Sequence, residues 1–473
     1  MTDLELCFDA LRAKQAVHTM RWKYYDGLHP IAFINPKMDQ VIPNGTIFKK
    51  NWCQVIVNAS RDRLKVQEWA HEQDGLSEQM QDAWQRILKQ PSSDLHTASL
   101  TTGEAFLVIW EGPKRPVAYY HDPRQAHVIY EAAMPDVPRV ACKRWAEDKK
   151  HYINIYYPDR IEHYEAEQEP HTAGGFKQTS VEGHPYGVIP VFHFRTSLRS
   201  LTGELTASVL SLQDAMNKLL NDMMVSSEYS AFPQRWGIGH WDEQTGGMRV
   251  GAGTILRIPA GEQGDQPNSV GTFEATDPKN FLEPIDSLAD AIAVLSATPK
   301  HYFSGQGANV SGEALQAMEA PLIAKLELYQ QTLGTEWARA MAFTMALQGQ
   351  TVDAEDIECI WQPPHTVQPQ SQAETRYTNM QAGIPIINQL RDEGWTEDQI
   401  DQLLEDARRM QPAKAPGPQG NIDEQADAQQ STIDRKAPAL QASLLSALEA
   451  VNVELVDRLT RNGTLDRMRG AVT

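Results

Sequence analysis

Side chains able to do chemistry are thinly spread along this 473-residue chain. Tyr120-His121-Asp122 sets an imidazole beside a carboxylate, and Tyr157-Pro158-Asp159 sets a phenol near another. Both lie in turn-forming sequence, where Asp is favoured because its side chain bonds nearby backbone amides. Neither reads as a proton-transfer pair, and no catalytic residue is expected. The chain has no GxxxxGK[ST] phosphate loop, no GxSxG elbow and no HExxH zinc helix. Gly305-Gln-Gly307 is too short for a nucleotide fingerprint. Cys7, Cys53, Cys142 and Cys359 are far apart and form no CxxC, and none of the 14 His stands at ligand spacing with a cysteine pair. They read as buried, reduced thiols of a cytoplasmic protein, with no metal and no cofactor implied.

Binding chemistry is equally biased. Lys and Arg number 43 against 62 Asp and Glu, a net charge of -19. A sequence-specific DNA binder carries a basic face to neutralise phosphates, and this chain advertises none. An acidic wall can still pass DNA, because a surface that repels phosphate does not grip the strand. The same acidity also keeps a protein soluble. The first residues, Met1-Thr-Asp-Leu-Glu, lack the positive charge of a signal peptide, and no apolar run approaches a membrane span.

The length is too great for one ordinary core, so two to four subdomains are expected. From Glu204 to Ser227, Leu205, Val209, Leu212, Met216, Leu219 and Met223 recur at steps of 4 and 3, one helical stripe. Asp277-Pro278 opens a second helix, striped by Phe281, Ile285, Leu288, Ile292 and Leu295 and ended by Pro299; Pro284 marks an alternative start or a kink. Between them, residues 229–276 carry a Gly246-Gly247 turn and strands over Thr254–Ile258 and Val270–Glu274. The loop Thr298 to Val310 follows. Ser311 then caps a helix reaching about Gln348, with Leu315, Met318, Leu322, Leu326, Tyr329 and Leu333 on one side. Pro321 inside it should bend it. Periodicity alone fits an ordinary helical bundle with a β-insertion.

Upstream, Asp3 to Tyr25 reads as a helix with Leu4, Phe8, Leu11 and Val17 near one face, stopped at Asp26-Gly27. Lys50 to Leu64 and Leu76 to Leu88, the latter with Ser77 as cap, read as further helices. The period then becomes 2. Strands are predicted over Gly103–Trp110, Val117–His121, Ala126–Glu131, Val137–Trp145, His151–Tyr157 and Ile161–Ala166, with Glu167 to Gly183 as a polar exposed loop. Downstream, Thr351 to Met410 holds 12 acidic side chains against 4 Arg. It reads as short helices over Ala373–Ala382, Ile386–Glu393 and a third running to Arg409. Gln411 to Pro438 has linker composition, and Leu440 to Leu459 is amphipathic.

Three stretches resemble tailed-phage portal proteins of the long-tailed (siphovirus) type. Gly203-Glu-Leu-Thr-Ala-Ser-Val-Leu-Ser-Leu-Gln-Asp-Ala-Met-Asn-Lys-Leu-Leu-Asn-Asp-Met223 is similar to the first stem helix. His184-Pro-Tyr-Gly-Val-Ile-Pro-Val-Phe-His-Phe194 precedes it as in that family. Pro299-Lys-His-Tyr-Phe303, with Ser311-Gly-Glu-Ala-Leu315 and Glu319-Ala-Pro-Leu322, is similar to the tunnel loop and kinked helix. The resemblance spans about Met1 to Met410 and rests on order and spacing together.

It implies an α+β fold: an α/β wing (1–202), stem helices (203–228 and 277–297) flanking a small β-rich clip (229–276), a tunnel loop (298–310), a long kinked helix completing the wing (311–350), a helical crown (351–410) and a linker with C-terminal helix (411–473). It implies a ring, usually of twelve subunits, at a capsid vertex, through which double-stranded DNA is packaged and ejected without sequence specificity. Terminase large subunit, head-completion adaptors, and major capsid and scaffold proteins are the implied partners; the virion, after assembly in host cytoplasm, is the implied location. On this reading Lys300, His301, Tyr302 and Asn309 face DNA from the tunnel loop. Glu204, Asp214, Asp222, Glu283, Asp286 and Asp290 are candidates for the channel wall, Trp236, Trp241, Arg249 and Arg257 for partner contact on the clip, and Pro321 for the helix kink. A capsid-associated nuclease or packaging-motor component, and a cellular ring-forming secretion or scaffold component, are the alternatives; the first requires a nucleotide loop or metal carboxylate cluster, and the sequence shows neither.

Overall fold

The computed structural model describes residues 1–30, 48–73, 75–197, 201–231, 235–239, 255–259, 269–272, 277–304, 312–365, 376–392 and 400–405. The chain divides into two units, Met1–Thr366 and Val367–Thr473.

The first unit opens with α1 (Asp3–Tyr25), fixed by a capping box in which Thr2 and Glu5 satisfy each other's backbone amides. It stops at Gly27, whose φ of 71° is left-handed. Phe8 and Leu11 are buried as expected, but Val17 is 43% exposed and is not part of the buried face. α2 (Trp52–Arg61) is capped by Asn51, and β1 (Val66–Ala70) follows. α3 (Leu76–Ala83) passes through a π-helical turn, Trp84–Leu88, into α4 (Lys89–Thr102). Ser77 does not cap α3: its hydroxyl accepts the His71 amide instead, and Gly75 holds the cap position. α4 escapes sequence reading because its Ser and Thr residues are weak helix formers. Burial holds it, and the Thr97, Ser99 and Thr102 hydroxyls bond back to carbonyls three or four residues earlier.

The strands β2 (Glu104–Trp110), β3 (Val117–His121) and β9 (Val191–Arg195) form one antiparallel sheet, ordered β3-β2-β9. β4 (Ala126–Glu131), β5 (Met134–Glu147), β6 (Lys150–Tyr156), β7 (Arg160–Ala166) and β8 (Lys177–Gly183) form a five-stranded meander in sequence order. The region read as a loop up to Gly183 therefore ends in a strand: β8 pairs with β7 although every one of its side chains is exposed, so no apolar alternation marks it.

α5 (Ala207–Ala231) and α6 (Lys279–Ser296) flank a small sheet of β10 (Arg235–Gly239), β11 (Ile255–Pro259) and β12 (Ser269–Thr272). β10, which sequence reading missed, lies centrally, parallel to β11 and antiparallel to β12. α6 starts at Lys279, and Pro284 sits inside it. Its inner face is Ile285, Ala289, Ile292, Ala293 and Ser296; Leu295 is 55% exposed, so small residues replace the last predicted position of the stripe. A short turn, α7 (His301–Ser304), and the long α8 (Gly312–Leu347) follow in the first unit. Pro321 lies inside α8, and Leu322, Leu326, Tyr329 and Leu333 are buried there, while Met318 is 38% exposed. Ser311 lies outside the described residues.

α8 is the spine of the main core, where Trp337 packs against Trp84 and Phe194. Within the acidic stretch from Thr351, before the first of the expected helices, the chain supplies β13 (Glu358–Trp361), antiparallel to β1. In the second unit, residues 376–381, α9 (Ile386–Asp392) and residues 400–405 are helical around Ile386, Leu390 and Ile400.

Candidate functional site

α5 and α6 pack through Val209, Met216, Ile285, Ala289, Ile292 and Ala293, together with Trp52, Ile56 and Phe303. α5 is held to the body by an uncommon device. Gln213, Asn217 and Asn221, four residues apart, put three buried amides on one helical face. Gln213 Oε1 accepts the Trp52 N–H at 3.0 Å, and its Nε2 donates to the Lys50 carbonyl at 2.5 Å. Asn217 Oδ1 accepts the Lys50 N–H at 3.0 Å. Asn221 accepts the Phe48 N–H at 3.1 Å and donates to its carbonyl at 2.8 Å. Four helical residues rise about 6 Å, and two extended residues span about 6.6 Å, so the spacings match. The helix treats residues 48–52 as a neighbouring strand would.

At the far end of α6, Ala297 turns left-handed, with φ 50°, and Thr298 bonds back to the Ala293 carbonyl. The chain enters α7, where Phe303 is buried against Trp52, ring centroids 5.3 Å apart. Lys300, just before the turn, pairs with Asp290 of α6 at 2.6 Å. Both partners are near half exposed, at 45% and 48%, so the pair is solvent-screened and weak. His301 and Tyr302 turn toward Glu319 of α8, at 3.9 Å and 3.0 Å. Burial, aided by that carboxylate, pushes the Tyr302 phenol up to about 12. A lysine on a short turn, backed by two side chains tied to a helix, can offer a single positive charge to a passing anion. It cannot grip one.

Residues 24–413 match the family described as phage portal protein, SPP1 Gp6-like. The chain belongs to this portal protein family. It is 30% identical over 229 residues to the portal protein of Mycobacterium phage D29, covering 45% of this chain and 47% of that one. To the portal protein of Mycobacterium phage L5 it is 29% identical over 236 residues, covering 46% and 48%. The chain thus spans about half the length of the curated relatives it matches. Among solved structures, a chain of the virion of a native gene transfer agent particle overlaps at TM-score 0.40 with 13% identity, over 77% of this chain and 94% of that one. One from the neck of an empty gene transfer agent particle overlaps at TM-score 0.36 with 14% identity, over 87% and 96%.

The portal candidates named from sequence separate into groups. Lys300, His301 and Tyr302 come together on one turn, as described, while Asn309 lies outside the described residues. Of the acidic candidates, Glu283 and Asp286 are exposed on α6, and Asp290 is half-exposed against Lys300. Asp222 is tied to Lys218 one turn earlier. Asp214 accepts the Tyr24 hydroxyl at 2.7 Å, facing α1 rather than open space. Glu204 must be corrected: it is 5% exposed, accepts from Ser60 at 2.8 Å and pairs with Lys325 of α8 at 2.9 Å. Lys325 also donates to the Ser296 carbonyl at 2.6 Å, so Glu204 is part of an interior junction and faces no channel. On the small sheet Trp236 stands opposite Gly271, where a Cβ would meet the indole at 2.6 Å, so any larger residue there displaces the Trp236 ring. Arg257 is on β11 in register with Gly237. Trp241 and Arg249 lie outside the described residues.

Sequence reading missed a heavily bonded polar group. Glu104 opens β2 and is fully buried. Lys14 Nζ meets its two oxygens at 2.7 and 2.9 Å, and the His18 and His193 Nε2 atoms lie at 3.0 and 2.8 Å. Burial alone would raise this carboxyl; the two histidine bonds and the Lys14 charge outweigh it and hold Glu104 well below the usual range. Burial, with Lys14 adjacent, pushes His127 down to about 3, so its Nδ1 is free to accept from Lys14 at 2.8 Å. The result is one ion pair threaded by imidazoles. Lys14 supplies the cation, and among the described residues no group of three or more His, Cys, Asp or Glu is arranged to hold a metal. The members come from α1, β2, β4 and β9, so no spacing in the sequence could have shown them.

Proposed function

We propose that this chain is the subunit of a portal ring at one capsid vertex, through which double-stranded DNA is packaged and later ejected. The α5–α6 pair forms the stem of the ring and the β10–β12 sheet its clip. The 298–304 turn begins the tunnel loop, the body up to residue 202 with α8 forms the wing, and the second unit forms the crown. The ring has twelve copies, as is usual in the family the sequence resembles. Terminase large subunit docks on the clip during packaging and head-completion proteins replace it; capsid and scaffold proteins meet the wing. The ring assembles in the host cytoplasm and ends in the virion. Its role is mechanical: the chain has no reaction of its own and takes no cofactor.

Beyond family membership, one observation carries this reading. α6 buries one face against α5 while Leu282, Val294 and Leu295 stand 46%, 80% and 55% exposed. Val294 and Leu295 are adjacent and form an open apolar spot at the end of a helix whose other face is packed; in a ring the next copy covers it. The test is the mass of the purified particle by native mass spectrometry, with end-on negative-stain images. A closed ring near twelve subunits with a central hole is expected; a stable monomer at high concentration overturns the reading.

A further inference from the structure

Glu319 lies two residues before Pro321 on α8 and its side chain is 2% exposed. Three side chains from two distant parts of the chain converge on it. Arg63, in the turn after α2, brings its guanidinium to 2.9 Å. Tyr302 donates its hydroxyl at 3.0 Å, and His301 Nε2 stands at 3.9 Å. The Arg63 guanidinium also lies over the Tyr302 ring, 5.6 Å from its centroid. A carboxylate this buried is strongly unfavourable unless paired and hydrogen-bonded, so the contacts are mutually required. α7, by contrast, is four residues long and cannot hold its own shape. What orients it is its side chains: Phe303 inward on Trp52, and Tyr302 and His301 on Glu319, while Lys300 just before it pairs with Asp290 of α6.

We propose that Glu319 is a positioning residue that fixes α7 against α8 and thereby sets the direction in which Lys300 is presented. Glu319 touches no DNA; it acts through Tyr302, with Arg63 neutralising its charge. The anchoring stands independently of the portal reading. Only its consequence for DNA rests on that reading.

The experiment is hydrogen–deuterium exchange on the full chain, comparing wild type with Glu319→Ala, Glu319→Gln and Tyr302→Phe. Glu319→Ala should speed exchange over residues 298–304 by about tenfold while β2 and β9 stay unchanged. Glu319→Gln keeps an acceptor for Tyr302 and should recover part of the protection. Tyr302→Phe should show a similar local rise, and adding it to Glu319→Ala should change little further, since both break one contact. In capsids assembled on rings of normal mass and supplied with terminase, Glu319→Ala should lower packaged DNA to the level of Lys300→Ala, with no extra loss in the double variant. Unchanged exchange over 298–304 in both Glu319→Ala and Tyr302→Phe overturns the proposal, as does a rise spread evenly over the chain. Faster local exchange in a chain that never forms rings supports the positioning role and sinks the portal reading instead.

Discussion

Histidines buried as neutral rings make this protein sensitive to acid. His96 of α4 is 3% exposed; its Nε2 accepts the Trp337 indole N–H at 3.0 Å, and the Leu64 carbonyl takes its other nitrogen. Burial lowers it to about 4. In the unfolded chain the same ring takes a proton near pH 6.5. Between those values the unfolded state binds a proton that the folded state refuses, so stability present above pH 6.5 is lost as pH falls toward 4. The expected loss is about 1.4 kcal/mol per pH unit for this one group. His121, lowered to about 4, and His127, lowered to about 3, act in the same direction. Urea denaturation from pH 7 to 4.5 should show the slope, and His96→Gln should flatten it; equal slopes in both proteins would remove His96 as a contributor.

The elements are held together by polar contacts as much as by apolar stripes. Gln213→Leu leaves the buried Trp52 N–H and the partly buried Lys50 carbonyl without their Gln213 partner. That should cost about 1–3 kcal/mol for the buried Trp52 N–H, and less for the Lys50 carbonyl, which water can reach. The denaturation midpoint should fall and the amides of Lys50 and Trp52 should lose protection together; loss at one only would mean that the rungs act separately. Helices and strands whose apolar residues obey a period were legible in the sequence: α1, α5, α6, α8 and most of the meander. α4 was not, because burial overrides its poor propensity. β8 was not, because neither face is buried, and β13 was not, because it pairs with a strand almost 300 residues earlier. Of the candidate site, the Lys300 turn was legible as a word in the sequence, but its anchor at Glu319 was not. Arg63, Tyr302 and Glu319 are joined only by the fold.

At the scale of the whole molecule, charge and apolar surface oppose each other. Each copy carries -19, so bringing many together is resisted at long range, while the open residues of α6 favour contact. Screening by salt shortens the repulsion to about 8 Å at physiological ionic strength and leaves apolar contact intact. Ring formation followed by analytical ultracentrifugation should therefore strengthen as sodium chloride rises from 20 to about 300 mM. Leu295→Glu should weaken it at every salt concentration without lowering the melting temperature of the single copy. A ring that loosens with added salt would mean that ion pairs, not α6, hold it.

The amide ladder on α5 has a mechanical meaning. Residues 48–52 run antiparallel to the helix, with Phe48 at Asn221 and Trp52 at Gln213, so a pull along the helix loads all five bonds side by side. Bonds loaded in parallel break together, whereas bonds peeled from one end break in turn. The ladder also admits slippage only in whole rungs, one helical turn against two residues of chain. A thrust along α5 is therefore passed to the body as through a keyed shaft: rigidly, up to a threshold, with no intermediate position in which to yield.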